Sequence, residues 1–160
     1  MTTLPSDPMR GLLFSALSWQ DAHATFDAAV SDFPPEIRGK VAPGIPYSPW
    51  QLLEHMRRAQ HDILDFCVNP AYEEMHFPDD YWPKSPEPPT PNAWDESIAA
   101  FKKDLARLQL LATDTPELFA TIPHGSGQTY AREFVLVTDH NAYHVGQMVL
   151  LRRLLGAWPS

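Results

Sequence analysis

Proline constrains this chain more than any other feature. There are 17 prolines among 160 residues, about twice the usual frequency. They are placed so that four windows, 9–33, 50–69, 92–115 and 124–158, contain none. Proline removes a backbone donor and clashes with the preceding turn, so helix interiors exclude it while helix starts and loops accept it. Four long proline-free windows joined by proline-rich links predict four helices. Each window has apolar residues at helical spacing. In the first, Trp19, His23, Phe26, Val30 and Phe33 form a stripe with Ser18 as N-cap. In the second, Leu52, His55 or Met56, Ala59, Ile63 and Phe66 do the same, and Ser48-Pro49 reads as N-cap and first helical residue. Trp94, Ile98, Phe101, Leu105, Leu108 and Ala112 make the seam of the third, begun by Thr90-Pro91. The fourth runs from near Thr129 to Leu155, where Gly156 and Pro159 stop it. No segment alternates as a strand does. The chain reads as one all-α domain over residues 1–160, a four-helix bundle. The links at 34–49 and 70–91 read as packed covers for the bundle edges.

Charge and cysteine content narrow the function. Twenty acidic residues against 12 basic ones leave a net charge of −8. Basic residues are dispersed and cluster no further than doublets such as Arg57-Arg58, Lys102-Lys103 and Arg152-Arg153. Without a basic stripe the counterion release that drives phosphate-backbone binding is missing, so no nucleic-acid partner is expected. An anionic membrane surface is disfavoured for the same reason. No apolar run is long enough to span a bilayer, and the short apolar stretch at 11–17 reads as mature sequence rather than a leader. Cys67 is the only cysteine, which excludes an internal disulfide and suits a reducing, cytoplasmic location.

The chemistry lies in the histidines. Val137, His140, His144, Met148, Leu151 and Leu155 step by three or four and define one face of the fourth helix. Two imidazoles on a buried face need hydrogen-bond partners or a metal. His55 points into the same interior from the second helix. Three neutral imidazoles can hold a divalent transition metal and leave positions open; three separately satisfied core histidines are the alternative. His23 shares the first stripe and stands as a fourth ligand or a pocket acid/base. Gln147, three residues after His144, leans towards the site or bonds a neighbouring helix. Glu54 and Asp139 flank ligands and read as caps, ion pairs or supporting partners. Tyr81 and Trp82 are candidates to roof a pocket. Asn141 stands where a zincin needs glutamate. Glu73 and His76 give one Glu-x-x-His, but Pro70 and Pro78 keep it out of any long helix, against a di-iron site. His124-Gly-Ser126-Gly lacks nucleophile-elbow spacing and reads as a turn. Cys67 lies about three turns, or ~18 Å, along the helix from His55, too far to be the nucleophile.

Three segments carry a resemblance. Trp50-Gln-Leu-Leu-Glu-His55-Met-Arg-Arg-Ala-Gln, Asp139-His140-Asn-Ala-Tyr-His144-Val-Gly-Gln147 and Leu151-Arg-Arg-Leu-Leu-Gly156 resemble the DinB-like family. The likeness covers about 19–159 and is most specific at the histidines. It implies an up-down-down-up four-helix bundle and a divalent metal, zinc or nickel, at positions matching His55, His140 and His144. It also implies a homodimer, to which Trp19 and Trp94 would lend apolar area. In some branches the activity is transfer of a low-molecular-weight thiol such as bacillithiol or mycothiol. Two classes of function follow. One is a metal-dependent enzyme, a thiol S-transferase or a hydrolase. The other is a non-catalytic bundle whose ion is structural, as a fourth protein ligand would suggest. A haem-binding bundle is a more distant reading.

Overall fold

A computed structural model describes residues 7–159; the ends of the expected 1–160 domain lie outside them. The described residues form five α-helices and no strand, with one isolated bridge between Thr121 and Thr129. No described helix is long and apolar enough to cross a membrane.

Three long helices position the histidines. Helix α3, Pro49–Val68, starts as its sequence demands. The Ser48 hydroxyl accepts from Gln51 N, Gln51 Oε1 accepts from Ser48 N in return, and Pro49 occupies the first turn. Helix α4, Ala93–Asp114, has Asn92 at its N-cap with no side-chain cap bond, so the expected Thr90-Pro91 start falls short by two residues. Trp94, Phe101 and Leu108, seven apart, are its buried seam. Helix α5, Tyr130–Leu154, is capped by Thr129, whose hydroxyl accepts from Arg132 N. Its last turn carries Arg152 and Arg153, which suit the negative end of the helix dipole. Arg152 is buried and ties the helix to the carbonyls of Ala28, Ala29, Asp32 and Ala157.

The first window departs from expectation. It holds two helices, α1 at Pro8–Ala16 and α2 at Phe26–Val30. Local chemistry breaks it. Asp7, well before the expected Ser18, caps α1, and Thr25 caps α2 by accepting from Ala28 N. Ser18 is instead held by Gln109 of α4, which bonds its hydroxyl and the Phe14 carbonyl. Asp32, at φ 49°, turns the chain out of α2. Val30 and Phe33 are buried, but Trp19 is 44 % exposed.

Helix α3 packs on both α4 and α5, and α1 packs on both as well. The buried side of α3 is therefore wider than one stripe. Leu53, Gln60, Leu64 and Cys67 are buried with Leu52, His55, Met56 and Ala59, while Ile63 and Phe66 are only half-buried.

The 70–91 link is a fitted cover. Asp62 of α3 accepts from Tyr72 at 2.9 Å and Tyr81 at 2.7 Å. Arg58 donates to the Asp80 carbonyl and Gln51 to the Pro83 carbonyl. These bonds lay Trp82 against the face of His55.

Candidate metal centre

His55, His140 and His144 meet at one point. His55 projects from the second turn of α3; His140 and His144 project from successive turns of α5. His55 Nε2 lies 3.1 Å from His144 Nε2 and 3.2 Å from His140 Nε2. All three offer a ring nitrogen within 4.8 Å of the others. Two nitrogens on one tetrahedral ion at ~2.0–2.1 Å would sit about 3.3 Å apart. One proton on His55 Nε2 can serve only one of these contacts well. Three lone pairs this close repel unless a cation lies among them, so the donor set fits a divalent ion.

The rings are neutral and available. Burial, then His144 and His140, push the His55 pKa down to about 3; the Tyr81 backbone acts the other way. Burial and His144 push His140 down to about 4. Burial also lowers His144, against the Gln147 bond. A neutral imidazole keeps the lone pair that coordination requires.

The surroundings fix the rings. Trp82 stacks on His55 with centroids 4.0 Å apart and planes at 6°. Tyr81 meets the His55 edge, and Tyr143 lies beside His144 with centroids 4.9 Å apart. Gln147 Oε1 is 2.7 Å from His144 Nδ1, which makes that nitrogen the N–H and leaves Nε2 its lone pair. Glu54 is not at the cluster. Burial raises its pKa, but the bonds from Arg57 and Arg58 outweigh this and hold it below its ordinary value.

His23 is not brought to the cluster. With the first window broken, it sits in the link before α2, exposed, with Nδ1 2.8 Å from the Ala24 carbonyl. It borders a different cavity, about 390 Å³, with Trp19, Phe26, Leu105 and Val145. Among the described residues no further His, Cys, Asp or Glu joins the three. Cys67 is buried, and burial followed by Glu133 pushes its thiol up to about 12. It is an inert core residue.

Sequence reasoning passed over two buried amides, Gln60 and Asn141. Asn141 Nδ2 donates to Gln60 Oε1 at 2.8 Å, and Gln60 Nε2 donates to the Phe101 carbonyl at 2.7 Å. Their signal was a polar side chain recurring where α3 and α5 should be apolar, the same signal that exposed the histidines.

The family model of the DinB superfamily matches residues 18–148. The chain belongs to the DinB superfamily. No curated protein and no solved structure matches it. The DinB span takes in His55, His140, His144, Gln60, Asn141 and Gln147, and leaves α1 outside.

Proposed function

We propose that this chain is a divalent-metal-dependent enzyme whose ion, zinc or nickel, is held by His55, His140 and His144, and that it transfers a low-molecular-weight thiol to an electrophile. The observation that carries the proposal is the convergence of three Nε2 atoms with no fourth ligand of these types in the group among the described residues. Three ligands suit a working site; four would suit a structural one. An ion with an open position lowers the pKa of a thiol that reaches it, and the thiolate is the nucleophile.

The residues around the histidines supply orientation and shelter. Gln147 holds the His144 tautomer. Trp82 covers one face of His55 and keeps water off it. Asp62, through two tyrosines, keeps the cover closed. Since Cys67 stays a thiol, the sulfur nucleophile must come from outside the chain. The helices, α1 and α2 together counted as one, follow the up-down-down-up order of a four-helix bundle in this reading. The protein works as a cytoplasmic homodimer on a small molecule, without nucleic acid or membrane.

The test is a thiol screen with zinc- or nickel-loaded protein, bacillithiol or mycothiol, and an alkyl halide. Sulfur–carbon bond formation breaks the carbon–halogen bond, halide leaves, and the thiol proton goes to solvent. The expected result is metal-dependent loss of free thiol that falls to the uncatalysed rate in His144→Ala. Ester hydrolysis without thiol would replace transfer by hydrolysis at the same site. Loaded protein inert in both assays would overturn the enzymatic reading and leave a structural ion.

A further inference from the structure

Helix α5 is apolar on two sides. Its inner side buries Phe134, Val137, Met148 and Leu151. On its outer side Val135, Tyr143, Leu150 and Leu154 are each at least half exposed. A helix that is apolar all round is ordinarily covered all round. The outer side has a seam of its own. Asp139, Tyr143, Gly146, Leu150 and Arg153 step by four, three, four and three, the spacing of residues that face a second helix. All five are exposed.

Gly146 stands at the middle of that seam. Inside a helix glycine costs stability relative to alanine. A Cβ added there would meet nothing within 4 Å among the described residues, so nothing in the chain's own packing calls for a glycine. What a helical glycine permits is the close approach of another backbone. The seam is also self-complementary about this point. Asp139 and Arg153 lie seven residues to either side, about 10.5 Å along the axis at a rise of ~1.5 Å per residue. Among the described residues neither is in an ion pair, and Arg153 rests over the Trp158 ring at 5.4 Å.

We propose that the outer face of α5 is the contact surface for a second copy of this chain, in an antiparallel two-fold pair that crosses at Gly146. A two-fold axis there sets each Asp139 level with an Arg153 of the other copy and each Tyr143 level with a Leu150. Opposite charges meet at both ends of the crossing, whereas a parallel pair would set aspartate against aspartate and arginine against arginine. Tyr143 also lies beside His144, with ring centroids 4.9 Å apart. The second copy therefore closes that flank of the histidine cluster. The proposal gives a surface to the homodimer stated above and rests on that reading, not on the thiol chemistry.

The experiment measures the dimer dissociation constant by sedimentation equilibrium, with a urea midpoint for each variant to show that it folds. Gly146→Gln should raise the constant by about 100-fold, the loss expected at the centre of an interface. The single chain should still fold, since the new side chain enters open space. Asp139→Arg and Arg153→Asp should each raise the constant about 10-fold, because two facing pairs turn repulsive. The double variant should bring it back towards the wild-type value. A wild type that stays monomeric across a hundredfold concentration range overturns the homodimer and this surface together. A dimer that survives in folded Gly146→Gln, or charge reversals that add instead of cancelling, leaves the homodimer standing and overturns its placement on α5.

Discussion

At the scale of the residue, burial decides the state of the histidines. A free histidine titrates near 6.5, while His140 and His55 in the fold hold out to about 4 and about 3. Between those values the unfolded chain binds more protons than the folded one, so stability present above ~6.5 is lost as pH falls. The metal-free protein should therefore show a falling denaturant midpoint from pH 7 to pH 5. The slope should be shallower in the His55→Leu/His140→Leu double variant, and equal slopes would contradict the assignment. His55, His140 and His144 were legible in the sequence because polar residues at apolar positions of a helix stand out. Gln147, three residues after His144, was legible in the same way and does bond its ring, but the buried amides beyond it were not. Gln60 and Asn141 obey the same rule, but an amide does not announce a metal as an imidazole does. The contact of Trp82 with His55 depends on where a 22-residue link folds back, which helical period does not encode.

At the scale of the element, caps made α3 and α5 readable. Ser48-Pro49 and Thr129 are start signals with a mechanism, and both helices begin where those signals stand. Ser48 is fully buried and also bonds the Pro86 carbonyl of the cover. Ser48→Ala should cost about 1–2 kcal/mol, the upper range for a lost cap, read as a lower urea midpoint. An unchanged midpoint would show that the cap and the strap contribute nothing. The first window misled because an unbroken apolar period looks the same whether the helix runs through or is cut. Thr25 and Asp32 cut it, and with it went the argument that placed His23 among the ligands. The stripe of α3 was misjudged for another reason. A helix packed on two neighbours buries more than one face, so Leu64 and Cys67 lie deeper than Ile63 and Phe66.

At the scale of the whole molecule, family membership and the three-histidine convergence point the same way, and assembly is the next question. Trp94 is 1 % exposed and belongs to the core, so it lends nothing to an interface; Trp19 remains outside, as do Leu12 of α1 and Val135, Leu150 and Leu154 of α5. A symmetric dimer would bury roughly 1,200–2,000 Å². Light scattering should report twice the 18.1 kDa chain mass, and a monomer across a hundredfold concentration range would contradict it. The central claim is the metal, and elemental analysis of untagged protein tests it most directly. The account predicts about one zinc or nickel ion per chain, with strong loss in each of His55→Ala, His140→Ala and His144→Ala. If all three variants retain metal as the wild type does, the ion is bound elsewhere and the account of this site is wrong.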